Sequence, residues 1–194
     1  MTARFEYRIK AHPTMCNGVQ YRSRLEARRA AFFDLIGWQH EYEPIDLPGW
    51  SPDFRVVFPC GHSECNGSHS LLVEVKPFFE LKQFKGHPCM RYLEGYDNET
   101  VPKFPDFDWV NSSNAEKNME CKKRNESFRN HMKETSIPAD SSAAFGANPE
   151  VTYWSMGHGS GGGDECLLNW IEPGYSRLWS EAGNVVQWIA KGRR

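Results

Sequence analysis

Residues 71–77 read LLVEVKP, and this stretch decides the fold. A short apolar run of this kind is typical of a buried strand. Side chains two residues apart on a strand point to the same face, so Glu74 and Lys76 should emerge side by side while Val75 faces the other way. Charges are expensive to bury unless they are paired or bind an ion. The pair therefore indicates a functional site on this strand.

A second strand is predicted upstream, where residues 50–58 read WSPDFRVVF with Asp53 at the start of the strand. The connection over 59–70 is rich in Gly, Ser, His and Cys, so the two strands are expected to pair as an antiparallel hairpin. Asp53 would then lie beside Glu74 and Lys76. Hard cations such as Mg²⁺ prefer carboxylate oxygens, and a neighbouring lysine can position or deprotonate an attacking water. The pattern favours metal-dependent hydrolysis of phosphodiester bonds.

A helix is predicted over 21–36, where apolar residues recur at helical spacing. Ser23 is placed to cap its first turn, and Glu26 three residues later would complete a capping box, which is a purely local role for Glu26. Gly37 is expected to end the helix. A strand over 38–47 follows, so the first part of the chain is predicted as one helix and a meander of three strands.

The rest of the chain alternates short apolar stretches with polar ones, which predicts one domain of mixed α/β class with a mixed sheet. Its core is assigned to about 20–92 and 150–194, with a polar insertion over about 93–149. The individual predictions are a helix over 79–84, an irregular segment over 93–112, a polar helix over 114–134, a loop over 136–149, strands over 151–157 and 167–171, a mobile Gly-rich loop over 158–164 and an amphipathic helix over 180–191.

Composition narrows the class of protein. The chain has 194 residues, 39% of them hydrophobic, which suits a single domain with its own core. No apolar run reaches the roughly 18 residues of a membrane span, and the N-terminus lacks a signal-peptide pattern. We therefore expect a cytoplasmic protein whose six cysteines do not form a disulfide framework. The net charge of −2 argues against a general, tightly binding DNA coat protein.

The arrangement resembles the PD-(D/E)XK nuclease superfamily, which has a restriction-endonuclease-like fold. The resemblance rests on Pro52-Asp53, on Glu74 and Lys76 in the next strand, and on Glu26 in the preceding helix, over about residues 20–77. The glutamate on the first helix is most similar to members of phage and transposon type. The family core adds a further helix and strand, for which 79–84 and 151–157 are the candidates.

The resemblance implies an active site and a reaction. Asp53 and Glu74 would bind Mg²⁺ or Mn²⁺, Glu26 would bind the metal directly or through water, and Lys76 would position or activate water. The protein would be a metal-dependent DNA endonuclease, in the host-cell cytoplasm if a phage encodes it. Cutting both strands with one metal centre would favour a homodimer or a partner subunit. The alternative is an inactive nucleic-acid-binding or counter-defence module on the same fold.

Basic residues surround Glu26 on the first helix. Arg22, Arg24 and Arg28 could contact phosphates that flank the scissile bond. The alternative is a solvated helix face, since clusters of like charge are common on exposed helices.

The connection between the two strands departs from a minimal family pattern. It carries four residues that could bind zinc tetrahedrally, Cys60, His62, Cys65 and His69. Their spacing is not that of a common zinc finger, and one ligand could come from elsewhere, such as His87 or Cys89. The alternative is a polar hairpin tip with free thiols. A zinc ion here would be structural and would not itself cut DNA, and the sequence suggests that it would lie beside the active site.

Overall fold

The computed structural model describes residues 11–47, 49–92, 111–116, 119–120, 123, 139–158, 161–171 and 173–186. These residues form an α+β fold built on a mixed sheet, which confirms the predicted class at that level. Most of the predicted insertion and polar helix, together with the end of the last predicted helix, lies outside the described residues. No helix in the described part of the chain combines the length and the apolar character that a membrane crossing requires.

The fold begins with a small hairpin and a helix. Strands β1 (Thr14–Cys16) and β2 (Val19–Tyr21) pair antiparallel around a turn at Asn17 and Gly18. Helix α1 runs over Arg24–Leu35, with Ser23 as its N-cap: the Ser23 Oγ accepts a hydrogen bond of 3.2 Å from the Glu26 amide.

The helix ends as the sequence predicts. Gly37 has a φ of +73°, a left-handed conformation that glycine adopts without steric penalty, and the chain turns there into the sheet.

Six strands form the main sheet in sequential order. Every neighbouring pair is antiparallel except β5 and β6, which are parallel. The strands are β3 (Gln39–Tyr42), β4 (Phe54–Pro59), β5 (Ser68–Val75), β6 (Ser141–Phe145), β7 (Thr152–His158) and β8 (Gly161–Glu165). The predicted meander of three strands is therefore confirmed as β3, β4 and β5, although β3 is shorter than the predicted 38–47.

Two predictions were wrong about the strand next to β5, which is β6. Residues 136–149 were expected to be a loop, but Ser141–Phe145 is the fully buried strand β6 inside the sheet. Serine is tolerated there because its hydroxyl is paired: Ser141 Oγ donates to Ser155 O at 2.8 Å, and Ser142 Oγ donates to Cys89 O at 2.7 Å. The further strand beside β5 is thus β6, whereas the predicted strand over 151–157 is β7, one position further out.

Other boundaries also differ from the predictions. The Gly-rich 158–164 is largely strand β8 and not a mobile loop, because its backbone pairs with β7. The helix predicted over 79–84 is a single 3₁₀ turn at Leu81–Phe84, followed by another at Pro88–Tyr92. The strand predicted over 167–171 is a 3₁₀ turn at Leu167–Asn169. The last helix, α2, covers Tyr175–Val185 and so begins earlier than predicted.

Helix α1 packs on the sheet through aromatic side chains and thereby fixes the position of Glu26. The Phe33 ring lies 5.6 Å from that of Phe54 on β4 and 6.0 Å from that of Phe145 on β6. Phe32 meets Trp179 of α2 edge to face at 5.4 Å. The first helix is therefore held between the sheet and the last helix, and its first turn faces the start of β4.

Candidate active site

The register of the central hairpin brings the three predicted site residues of β4 and β5 together. Phe54 pairs with Val73, so Asp53 and Glu74 come opposite each other just beyond that pair. Asp53 and Glu74 are only 1% and 4% exposed. Two buried carboxylates at one end of a hairpin are an arrangement that needs compensating cations or hydrogen bonds.

Lys76 supplies part of that compensation. Its Nζ is in direct contact with Glu74 Oε1 and lies 3.8 Å from Asp53 Oδ2. The Asp53 Oδ2 also accepts a hydrogen bond of 2.7 Å from the Val75 amide. The lysine therefore lies between the two carboxylates at the end of β5.

Glu26 joins the site from the first turn of α1. Its carboxylate accepts hydrogen bonds from the Tyr42 hydroxyl at 2.6 Å, the Ser23 hydroxyl at 2.8 Å and the Arg22 amide at 3.2 Å. Glu26 thus has a local role at the helix N-terminus, although its partners there are the Ser23 hydroxyl and the Arg22 amide and not the Ser23 amide of the predicted capping box. This does not exclude a second role, because Glu26 also lines the cavity that contains Asp53 and Glu74.

Arg22 was singled out as a phosphate contact, and the structure places it among the carboxylates. Its Nη2 contacts Asp53 Oδ1, and its Nε is 3.1 Å from Glu43 Oε1 and 3.8 Å from Glu26 Oε2. The side chain is 55% exposed, so it lies at the mouth of the site. Arg22 can therefore neutralise the carboxylates from the solvent side.

Two further residues hold Glu74, and neither was among the predicted partners of the carboxylates. The Trp50 indole Nε1 donates to Glu74 Oε2 at 2.6 Å, and His87 Nε2 is 3.4 Å from Glu74 Oε1. Both side chains are buried. Trp50 lies three residues before Asp53, and this proximity could have indicated that it belongs to the site. His87 lies in a segment without helical or strand periodicity, so its position beside Glu74 could not be predicted.

The electrostatic environment moves the pKa values of the two buried carboxyl groups in opposite directions. Burial and the nearby charge of Glu74 raise the pKa of Asp53 to about 7, although Lys76 and the Val75 amide act in the opposite direction. Burial would also raise the pKa of Glu74, but hydrogen bonding to His87 and the charge of Lys76 outweigh it and lower that pKa. Paired carboxyl groups with pKa values moved apart are common in active sites.

Glu26, Asp53, Glu74 and Lys76 line one cavity of about 790 Å³. The cavity is large enough for a sugar–phosphate unit, since small-molecule sites typically measure ~300–1,000 Å³. Basic or polar residues at or just before the start of β1 and of α1 also line it, namely His12, Thr14, Arg22, Ser23 and Arg24.

Arg28 lies elsewhere. Its guanidinium stacks over the Trp179 ring at 3.9 Å and donates to the Trp179 carbonyl oxygen from Nε at 3.0 Å and from Nη2 at 2.7 Å. These contacts join α1 to α2. Of the three arginines predicted to contact DNA, Arg22 and Arg24 line the cavity and Arg28 does not.

Three of the four predicted zinc ligands lie together in the structure. Cys60, His62 and Cys65 form a cluster, whereas His69 Nδ1 lies 3.3 Å from Asp140 Oδ2 and is not part of the cluster. The cluster is at the tip of the β4–β5 hairpin, and Asp53 and Glu74 are at its open end. The expectation that this connection flanks the active site is therefore wrong: the six residues of β4 separate the two by roughly 20 Å.

If Glu74 binds a divalent cation, as the sequence predicts, Trp50→Phe should weaken the binding of Mn²⁺ about tenfold, because it removes a hydrogen bond to Glu74 and partners of ligating carboxylates typically contribute that much. Isothermal titration with Mn²⁺ measures the effect. Trp154→Phe is the matched control, since Trp154 is equally buried and its Nε1 has no hydrogen-bond partner among the described residues. Equal loss of affinity in both variants would contradict an orienting role for Trp50.

Comparisons of the chain with models of protein families, with curated proteins and with solved structures find no match. The function must therefore be argued from the site itself: three buried or nearly buried carboxylates, one lysine between two of them, and two cavity-lining arginines.

Proposed function

We propose that the protein is a Mg²⁺- or Mn²⁺-dependent nuclease that hydrolyses phosphodiester bonds of DNA, most simply as an endonuclease. The observation that carries the proposal is the juxtaposition of Asp53, Glu74 and Lys76 at one end of β4 and β5, on the same cavity as Glu26. The restriction-endonuclease-like core belongs to the same proposal. It is supported by the order of α1, β3, β4 and β5, followed by β6 on the far side of β5.

The residues present fit a hard divalent cation. Asp53 and Glu74 offer oxygen ligands that are buried and close together, and Mg²⁺ commonly uses one or two protein carboxylates while keeping several waters. The raised pKa of Asp53 reflects burial and the repulsion of Glu74, and both are relieved by a cation. Asp53 and Glu74 would hold the ion, with Glu26 as a ligand directly or through water. When bound, such an ion polarises the phosphate and lowers the pKa of a coordinated water.

The chain's own residues would then perform the remaining tasks. Lys76 Nζ, already between Asp53 and Glu74, is placed to hold the attacking water by a hydrogen bond and to offset the negative charge that grows on the phosphate. Trp50 and His87 would fix the direction of the Glu74 carboxylate. The rigid hairpin matters because small misplacements of reacting groups reduce the rate strongly.

The charges of the cavity explain why a polyanion would enter only with a cation present. Three acidic side chains line it together with three basic ones, Arg22, Arg24 and Lys76. These charges balance, and a divalent ion makes the cavity positive. Phosphates on either side of the scissile bond could then be contacted by Arg24 and by Arg22, whose exposed guanidinium can leave Asp53 when the ion replaces it. For cleavage of both strands, a second copy or a partner subunit would have to supply another centre.

The direct test is incubation of the purified protein with supercoiled plasmid and Mg²⁺, with and without EDTA. We expect nicked or linear products only in the presence of the metal, because the buried carboxylates cannot approach a phosphate without it. Glu41→Gln is a control variant, since it removes an exposed carboxylate from the neighbouring strand β3. Absence of cleavage of plasmid, linear and single-stranded DNA with both Mg²⁺ and Mn²⁺ would contradict the proposal.

One observation favours a second candidate, an inactive nucleic-acid-binding or counter-defence module. Both buried carboxylates already have cationic partners within the chain, Arg22 on Asp53 and Lys76 on Glu74. Such a protein would bind DNA or a protein partner without turnover, and its binding would be the same with Mg²⁺ and with EDTA.

A further inference from the structure

The connection between β4 and β5 gathers three side chains suited to a borderline-soft metal. The ligand atoms of Cys60, His62 and Cys65 all lie within 4.8 Å of one another. The Cys60 Sγ is 3.0 Å from the His62 Nδ1. Both sulfurs are thiols, and the cluster ranges from the buried Cys60 to the exposed His62. A metal ion could therefore enter from solvent and be bound against the end of the sheet.

The backbone, and not side-chain rotation alone, brings these ligands together. At the base of the connection the Cys60 amide donates to Gly67 O at 2.9 Å, and within it the Cys65 amide donates to His62 O at 3.1 Å. Gly67 has a φ of +81°, a conformation that glycine adopts readily and other residues rarely do. The loop is thus already folded around the position that an ion would occupy.

The donor set selects among metals. Two thiols and an imidazole bind Zn²⁺ strongly and are poor ligands for Mg²⁺ or Ca²⁺, which require oxygen. Four residues lie between Cys60 and Cys65, which is within the usual range for a pair of zinc-binding cysteines. The site is chemically distinct from the all-oxygen set of Asp53, Glu74 and Glu26, so the two would not compete for the same ion.

We propose that Cys60, His62 and Cys65 bind one structural zinc ion. His69 lies outside this cluster. Its Nδ1 and the Ser70 amide, at 3.3 and 2.8 Å, both contact Asp140 Oδ2, which ties β5 to the residue that precedes β6. Among the described residues the ligand set thus has three members and does not include the fourth residue that the sequence pattern suggested.

The zinc ion would clamp the register of the central hairpin. Residues 60–67 form a connection longer than the roughly two to five residues usual in a hairpin. A connection of this length does not fix the pairing register of the two strands as a tight turn does. The pairing of Phe54 with Val73 is what brings Asp53 opposite Glu74, and a slip of one residue would turn one of them to the other face of the sheet. A metal at the tip would therefore preserve the active-site geometry at the opposite end of the strands without touching it.

The experiment measures metal content of the full-length protein purified under reducing conditions from zinc-supplemented cells. Plasma mass spectrometry should find about one zinc per chain. Replacement by Co²⁺ should give the charge-transfer absorption of thiolate-bound cobalt. Removal of zinc by a chelator should lower the melting temperature and speed hydrogen exchange at the Cys60 amide, because the loop loses its clamp. Zinc-free protein, or protein with a Cys60–Cys65 disulfide in place of the metal, would overturn the proposal.

Variants locate the ion and keep the test informative if one of them folds poorly. His62→Ala and Cys65→Ser change exposed or half-buried positions and should each lose at least about 90% of the zinc, since each removes one of three protein ligands. Cys166→Ser, another thiol that is not buried, and Asp53→Asn should keep it. His69→Gln should keep it as well. Retention of stoichiometric zinc by both cluster variants, or its loss in His69→Gln, would contradict the three-ligand site.

Discussion

Asp53→Asn is expected to reduce DNA cleavage at least about a thousandfold while making the metal-free protein more stable. The amide cannot supply the anionic oxygen that a hard cation needs, so metal binding and turnover are lost together. In the absence of metal, the charge on Asp53 is unfavourable because the side chain is 1% exposed and faces Glu74. The neutral amide retains an oxygen for the Val75 amide and gives up the ionic contacts with the half-exposed Arg22 and with Lys76, whose Nζ is 3.8 Å away.

The gain in stability should depend on pH in a defined direction. Because the folded-state pKa of Asp53 is raised from 3.8 to about 7, the folded protein binds more protons than the unfolded chain between these values. Its free energy of unfolding therefore falls as pH rises through this range. Asp53→Asn removes that loss, so the variant should gain on the order of 2 kcal/mol over wild type by pH 8 and nothing at pH 3.5. Glu74 has a lowered pKa, so its contribution to stability has the opposite pH dependence in both proteins. That contribution is lost as the pH falls.

Urea denaturation in EDTA at several pH values measures this difference. Glu41→Gln is again the control, since it removes an exposed carboxylate that does not line the cavity. Added Mn²⁺ should raise the unfolding free energy of wild type and leave that of Asp53→Asn unchanged. A variant that is less stable than wild type at pH 8 without metal would show that Asp53 is mainly a structural partner of Arg22.

Lys76→Met is expected to lower the rate of cleavage about 10²–10³-fold without weakening metal binding. The methionine fills a similar volume but cannot hold water or offset charge on the phosphate. Since Lys76 occupies Glu74 Oε1 in the metal-free protein, its removal also frees that oxygen for the ion. The affinity for Mn²⁺, measured by titration, should therefore be equal to that of wild type or higher.

Lys82→Met is the matched control, because Lys82 is exposed and pairs only with the exposed Glu80 among the described residues. It should cleave at the wild-type rate. If Lys76→Met instead lost Mn²⁺ binding and activity in parallel, the lysine would be a structural support of the carboxylates and not a catalytic residue.

The central hairpin was predictable from sequence because its signals are local. Alternation within 71–77, an Asp at the start of the preceding strand and a Gly-terminated helix each follow from short-range rules, and these elements carry Glu26, Asp53, Glu74 and Lys76.

Strand β6 was missed for a physical reason. Its Ser and Ala residues have the composition of a loop, and they form a strand only because the sheet edge of β5 and hydroxyl acceptors on neighbouring segments are available.

The partners of the site were harder to predict than the site. Trp50 and His87 reach Glu74 from separate segments, and Arg22 reaches Asp53 across 31 positions, so no spacing rule relates them. Arg28 shows the converse error, since this basic residue two positions after Glu26 joins two helices through Trp179 and does not line the cavity. Tertiary contacts decided all four cases, and these are the contacts that sequence pattern does not encode.

A crystal soaked in Mn²⁺ tests the central claim most directly, through the anomalous scattering of the metal. We expect one strong peak between the carboxylates of Asp53 and Glu74, near Glu26, with Lys76 Nζ close by and with the peak absent in Asp53→Asn. A peak located elsewhere, or no peak at a Mn²⁺ concentration that supports cleavage of DNA, would contradict the account.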